Sequence, residues 1–197
     1  KNITIPKVDE FVDKFRYVNY DYSDIDNVYY QGTLEEWLQY TFTDENYNPL
    51  SSMANLYVYD GSDYVLVENL VIPTTMTTIN PYSLYGCASI DTVEFHDGVT
   101  TVGDYAFAYT AITEVDLTAA VSIGKNVFLK EELTPFKVTL GEDVEKIGDN
   151  PFAMCIVEPF SKLVTEKVNG EKKEVVSYNF EINDNVVEIV ANDGTTL

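Results

Sequence analysis

A six-residue pattern recurs four times in the middle of this 197-residue chain, and it limits sharply what the chain can fold into. It reads Ile79-Asn80-Pro81-Tyr82-Ser83-Leu84, Val102-Gly103-Asp104-Tyr105-Ala106-Phe107, Ile123-Gly124-Lys125-Asn126-Val127-Phe128 and Ile147-Gly148-Asp149-Asn150-Pro151-Phe152. The aliphatic first position returns at steps of 23, 21 and 24 residues, and Leu84, Phe107, Phe128 and Phe152 keep the same steps. A fixed period in the twenties marks a solenoid, in which each repeat is one coil that buries its apolar side against its neighbours. The architecture is therefore legible, whereas no set of residues rises to an active site.

Within each repeat a short alternating run follows the aromatic residue: Val93-Glu94-Phe95, Val115-Asp116-Leu117 and Val138-Thr139-Leu140. Apolar, polar, apolar over three residues is a strand with one buried face. Stacked coils would pair these strands into one long parallel sheet, leaving Glu94, Asp116 and Thr139 as a solvent-facing column. Val28-Tyr29-Tyr30 and Leu70-Val71-Ile72 read as earlier strands, which extends the column to Tyr29 and Val71. The residue after each aliphatic marker is Asn80, Gly103, Gly124 or Gly148, types that reach positive φ most cheaply, so a tight left-handed corner is expected there. The few residues that follow suit one helical or 3₁₀ turn on the opposite face, with the Phe pointing inward.

The two cysteines fall on the same frame, Cys87 three residues after Leu84 and Cys155 three after Phe152. At about 4.8 Å per coil their Cα atoms stand about 14 Å apart, beyond the ~7 Å reach of a disulfide. Two small buried free thiols are the expectation; the alternative is a metal or redox pair, for which no CxxC is present.

The pattern Ile-Gly-x-x-Ala-Phe, then Cys, then a strand, resembles the BspA-like leucine-rich repeats of bacterial surface proteins. Tyr82-x-Leu84-Tyr85-Gly86-Cys87 looks like the Ala-Phe-x-x-Cys segment of that family. The segment from Val28 to Trp37, followed by Asn48-Pro49-Leu50 and Ala54-Asn55-Leu56-Tyr57, resembles a helix-bearing insertion that recurs there. The closing Val190–Leu197 stretch is similar to a Lys-Asp-Gly-Thr-x-Leu run near the end of such arrays. The resemblance covers roughly residues 28 to 155. Departures are Pro81 and Pro151 in the turn, Thr110 and Glu131 in place of Cys, and a charged Leu129–Pro135. The resemblance implies secretion, display at the cell surface, and adhesion to host proteins or to other cells.

Twelve Lys plus Arg stand against 33 Asp plus Glu, a net charge of −21. So acidic a surface repels phosphate backbones and anionic lipid, which argues against nucleic-acid and membrane-surface binding. It favours solubility and cationic or neutral partners. Among fifteen Tyr and ten Phe some rings must face solvent, where Tyr suits recognition. No signal peptide and no membrane-spanning run is present, and the opening Ile3-Thr4-Ile5-Pro6 already reads as a strand end, so the chain reads as a processed or excised piece of a longer protein.

In chain order, Val8, Phe11, Val12 and Phe15 have helical spacing, and Tyr17–Asn27 is a Tyr/Asp-rich loop. Its Asp21, Ser23, Asp24 and Asp26 invite a calcium reading, but the spacing misses an EF-hand loop. Thr33-Leu34-Glu35-Glu36 is a capping box that opens a helix burying Leu34, Trp37 and Leu38, with Trp37 as packing residue or, alternatively, binding hot spot. Asp60-Gly61 between two alternating runs predicts a hairpin, as does Asn169-Gly170 within Lys162–Val176. Tyr178–Ile182 and Val186–Val190 alternate as strands. The fold class is thus a β-dominated α/β-type leucine-rich-repeat stack. Residues 1–155 form the solenoid, with a helix-bearing coil at about 28–55, and 156–197 a divergent C-terminal β cap shielding its open end.

Chemistry finds little support. His96, the single histidine, lies in a turn with Asp97-Gly98 and has no aligned nucleophile. The acid pairs Glu35/Glu36, Glu131/Glu132 and Glu142/Asp143 are expected by chance among so many acids. A short solenoid offers a shallow face rather than the cleft a glycosidase needs. No catalytic residue, metal or cofactor is assigned. The expectation is a non-enzymatic protein-binding module acting through Tyr29, Val71, Glu94, Asp116 and Thr139, with host or other-cell surface proteins as partners and glycans as a further class. The same column also reads as a plain solvated face. The alternatives are a structural spacer that carries another domain, or a polysaccharide-binding or glycoside-processing module.

Overall fold

The computed structural model describes residues 1–7, 24–141 and 143–157, and beyond them the backbone of strands at 161–168, 171–183 and 186–191. In chain order the strands are β1 (Asn2–Ile5), β2 (Asn27–Tyr30), β3 (Asn55–Tyr59), β4 (Tyr64–Leu66), β5 (Asn69–Val71), β6 (Thr78–Ile79), β7 (Thr92–Glu94), β8 (Thr101–Val102), β9 (Glu114–Leu117), β10 (Ser122–Ile123), β11 (Thr134–Leu140), β12 (Lys146–Ile147), β13 (Cys155–Val157), β14 (Ser161–Val168), β15 (Glu171–Asn183) and β16 (Val186–Ala191). Helix α1 (Leu34–Leu38) lies between β2 and β3. The result is the expected parallel solenoid. The helical stretch foreseen around Val8–Phe15, together with Asp21 and Ser23 of the calcium reading, lies outside the described residues.

The ladder is not one continuous sheet. β1, β2 and β3 pair in parallel, and β4 then folds back antiparallel onto β3. β4 occupies the edge that the next coil would need, so β5 starts a new sheet with β7. β9, β11 and β13 form another, and β7 adjoins β9 without ladder pairing. With only three or four residue pairs in each of these parallel pairings, each rests on very few bonds, and the coils need further seams.

Two further seams exist. The aliphatic markers Ile79, Val102, Ile123 and Ile147 each sit in a two-residue strand, and β6, β8, β10 and β12 pair in register as a second parallel ladder. The third seam is the turn that follows. There alternate N–H groups bond within the coil and to the next coil. Ser83 N–H donates to Asn80 O and Tyr85 N–H to Tyr82 O, whereas Tyr82, Leu84 and Gly86 donate to Asp104, Ala106 and Ala108. One coil later Tyr105, Phe107 and Tyr109 donate to Lys125, Val127 and Leu129. Backbone polar groups that would otherwise be orphaned in a helix-free turn are paired this way.

This alternation relocates the left-handed residues. None of Asn80, Gly103, Gly124 and Gly148 has positive φ; the left-handed positions are Tyr82, Tyr105, Asn126 and Asn150, two residues further on, with φ of 56°, 56°, 49° and 50°. The glycines serve close approach instead. A Cβ at Gly124 would lie 2.6 Å from the Asp104 backbone nitrogen, and one at Gly148 2.5 Å from that of Lys125. The expected helical turn is accordingly a run of hydrogen-bonded turns.

The core lies between the seams. Leu84, Phe107, Phe128 and Phe152 are all buried, as the inward reading required. Phe107, Phe128 and Phe152 stack at 5.4 and 5.7 Å with interplanar angles of 3° and 4°. Each buried ring contributes about 1.5–3 kcal/mol. Cys87 and Cys155 are buried free thiols on this frame, pushed up to about 11 and about 12 by burial. Beyond β13 the strands β14, β15 and β16 make an antiparallel three-stranded sheet. β14 and β15, the two strands expected to flank Asn169-Gly170, pair antiparallel from Val168 and Glu171 onward, and β15 runs unbroken into the separately expected Tyr178–Ile182; the turn residues themselves lie outside the described residues.

Candidate functional site

Alternation within the main-ladder strands turns one side chain in two outward. Leu70 and Ile72 are buried while Val71 between them is 57% exposed. Val115 and Leu117 are likewise buried around exposed Asp116, and Val138 and Leu140 around exposed Thr139. Val71 pairs in register with exposed Glu94, and Asp116 with Thr139. The column is thus two pairs on separate sheets, not an unbroken line. Tyr29 stands apart from both, in the first sheet between Thr4 and Tyr57.

Tyr29 belongs to a cluster that the sequence reading missed. Its ring stacks on Tyr57 at 4.6 Å and meets Tyr64 edge-on at 5.2 Å, and Tyr64 meets Tyr59 at 5.7 Å. The register explains it, because Tyr29 opposes Tyr57 and Tyr59 opposes Tyr64. Tyr57 and Tyr59 alternating in one predicted hairpin strand, with Tyr64 opening the other, were the available signal. Beside the rings runs an amide ladder. Asn55 Nδ2 donates to Asn27 Oδ1 at 3.0 Å, and Asn27 Nδ2 to Asn2 Oδ1 at 2.9 Å.

At the end of β9 a shallow cleft is lined by Phe95, His96, Asp97, Asp116 and Thr118 among others. It brings His96 and Asp116 to one place, but both are committed to the backbone. His96 Nδ1 accepts the Gly98 N–H at 3.0 Å, which leaves Nε2–H to donate to Pro73 O at 3.1 Å. Asp116 Oδ1 accepts both the Thr118 N–H, at 2.9 Å, and the Thr118 hydroxyl. These are turn-fixing roles. Among the described residues, no group of three or more His, Cys, Asp or Glu converges as a metal site requires. Of the calcium candidates, the Asp24 carboxylate pairs with the Lys1 ammonium at 3.1 Å. Trp37 is fully buried on α1, and its indole N–H donates to Ser83 O at 2.9 Å, so it packs rather than recognises.

A family model for the BspA type leucine-rich repeat region matches residues 57–183, in six copies. The match starts later than the resemblance at Val28 and continues past Cys155 across β14 and β15. No curated protein matches the sequence. The crystal structure of a leucine rich cell surface protein from Faecalibacterium prausnitzii A2-165 is 19% identical, covering 99% of this chain and 44% of that one, with a TM-score of 0.39. The chain therefore spans less than half the length of that protein.

Proposed function

Since the chain belongs to the BspA type leucine-rich-repeat family, we propose that it is a non-enzymatic binding module of a secreted or surface-displayed protein, docking other proteins on its ladder face. The observation that carries this reading is the separation of outward from inward side chains on the strands. Val71, Glu94 and Thr139 face solvent while their neighbours on either side are buried in the core or, beside Glu94, packed partly buried against it, so recognition residues can vary there without disturbing the fold. Attachment to host or other-cell proteins is the use to which such a rigid, regular face is suited.

The test is a binding screen of the chain against immobilised matrix proteins and polysaccharides at low and physiological salt. A saturable hit that survives salt and weakens in Glu94→Ala supports the reading. A hit that vanishes with salt reflects only the attraction of an acidic protein for basic ones. Silence across the array favours a spacer that holds another domain at a distance. Asp116 enters this test as Asp116→Asn, because the asparagine keeps the Oδ1 acceptor that holds Thr118.

A further inference from the structure

The turn face, remote from the ladder in each coil, carries a second tyrosine array. Tyr82 stacks on Tyr105 at 4.9 Å with an interplanar angle of 11°. Tyr85 touches Tyr82 at 5.7 Å, Tyr105 at 6.4 Å and Tyr109 edge-on at 5.3 Å. All four rings are half-buried, with the Phe stack beneath already filling the core.

Three of the four are held in a conformation that tyrosine disfavours. Tyr82, Tyr105 and Tyr109 have φ of 56°, 56° and 60°. A bulky residue there is an outlier, and such strain collects at functional positions. The same chain shows the cheaper solutions. At the repeat position of Tyr82 and Tyr105 the next two coils carry Asn126 and Asn150, and at that of Tyr109 the preceding coil carries Gly86, all with positive φ. Backbone geometry accepts Asn or Gly at these places, and Met154 holds φ of 61° without a ring. Tyr82 packs against the core and the Tyr105 hydroxyl accepts a hydrogen bond from Asn126 Nδ2 at 2.8 Å, so the rings are partly structural and a second role needs a further reason.

The charges supply one. Burial first, then the neighbouring Tyr105, and after it the carboxylates of Glu45, Asp104 and Asp44 push the Tyr82 hydroxyl up to about 12. Burial together with Glu45 raises Tyr85, and burial together with Glu131 and Glu45 raises Tyr109. No lysine or arginine occurs between Arg16 and Lys125. The first cation after that gap, Lys125, already lies on the array, its ammonium 5.7 Å from the Tyr105 ring centroid, within cation–π range. A second copy of a chain with net charge −21 is repelled from this face, and a nucleic-acid backbone likewise.

We infer that the Tyr82–Tyr85–Tyr105–Tyr109 array is a docking surface for a lysine- and arginine-bearing polypeptide segment, whose cationic side chains seat on the rings inside a fence of Asp44, Glu45, Asp104 and Glu131. Arginine is favoured over lysine, because a weakly hydrated planar guanidinium stacks on an aromatic face. The surface is independent of the ladder face, so either assignment stands without the other.

The experiment measures anisotropy of labelled hexa-arginine and hexa-lysine peptides titrated with the whole chain at low and physiological salt. The informative variant is Tyr82→Asn with Tyr105→Asn, which copies Asn126 and Asn150. It is expected to stay folded, melting somewhat lower for the loss of the Asn126–Tyr105 hydrogen bond and the ring stack, and to bind hexa-arginine about tenfold more weakly at temperatures well below its melting point. Lys125→Met, which removes the resident cation, is expected to tighten binding about two- to threefold, a gain that unfolding cannot mimic. Glu94→Gln on the ladder face, whatever it does to a ladder-face ligand, is expected to leave hexa-arginine binding unchanged. Equal hexa-arginine affinity in the double-asparagine variant and the parent overturns the inference, since the peptide then senses net charge alone. So does absence of binding at physiological salt, or a loss produced by Glu94→Gln in place of the tyrosine change.

Discussion

The coils after Ile79 and those before Val71 bury comparable aromatic cores by different means. After Ile79 the core is made by translation: Phe107, Phe128 and Phe152 repeat one ring in one orientation, stacked nearly parallel. Before Val71, Trp37 meets Tyr30 at 5.4 Å and Tyr40 at 6.0 Å, at interplanar angles of 65° and 77°, and Phe42 at 6.0 Å and 46°. That cluster carries polar handles. The Tyr30 and Tyr40 hydroxyls bond each other, and the Trp37 N–H reaches Ser83, which ties the two regions together. A repeat solves its packing once and copies it, whereas a non-repeating coil needs a mutual fit with specific hydrogen bonds.

The sharpest way to break this comparison is to remove one ring from each side. Phe128→Ala takes away the ring between Phe107 and Phe152 and is expected to cost about 3–5 kcal/mol. Trp37→Ala loses a comparable burial and also leaves the Ser83 carbonyl without its donor, so its cost lies at or above the upper end of that range. Urea unfolding of both variants measures this. A loss below about 1 kcal/mol for Phe128→Ala would mean that the stack contributes little to the core.

Lys130 is the exception on the repeating side. It is 6% exposed, and its ammonium donates to Thr110 O at 2.6 Å and Ile112 O at 2.5 Å. Burial pulls it down from 10.5 to about 8. The unfolded chain then holds more protons than the folded one between pH 8 and 10.5, so folding stability rises with pH across that window. The full effect is roughly 3 kcal/mol. Cys87 and Cys155 act in the opposite sense above pH 9, because burial raises both thiols and the unfolded chain loses those protons first. The clean measurement is the stability difference between the parent and Lys130→Met from pH 7 to 9, which is expected to move in favour of the parent. A pH-independent difference would mean that the amine is solvated.

A smaller effect tests how closely the repeating coils approach. Gly124→Ala puts a Cβ against the backbone of the preceding coil and is expected to cost about 1–3 kcal/mol, measurable by thermal melting. Coils that can part to admit a methyl group would show no loss.

These cases also mark what was readable beforehand. Buried Phe, buried Cys and the capping box around Thr33 were legible because each depends on local chemistry or on a period. The left-handed positions were misplaced by two residues. Gly at close approach and Gly at positive φ look alike in a sequence, and tyrosine at 82, 105 and 109 hides the second role. The break in the ladder was hidden too, since it depends on β4 taking the edge of β3. Lys130 reads as a surface charge because its partners are backbone carbonyls of the previous coil. The Tyr29 cluster joins residues 28 and 35 positions apart, and only the register of β2, β3 and β4 brings them together.

The smallest effect separates recognition from structure on the ladder face itself. Glu94 and Asp116 were read as equivalent members of one column, yet only Asp116 fixes a turn, through Thr118. Asp116→Ala is expected to cost about 1 kcal/mol, the usual loss of a hydrogen bond to a charged acceptor at an exposed site. Asp116→Asn should recover most of it. Glu94→Ala is expected to stay within about 0.5 kcal/mol of the parent, as for a surface residue without structural partners. Chemical denaturation of the three variants decides the matter. If Glu94→Ala were as damaging as Asp116→Ala, both acids would be structural, and Val71 and Thr139 would be left as the free positions of the two pairs. If neither changed stability, the turn at Thr118 would hold without its carboxylate, and both acids would be open to a ligand.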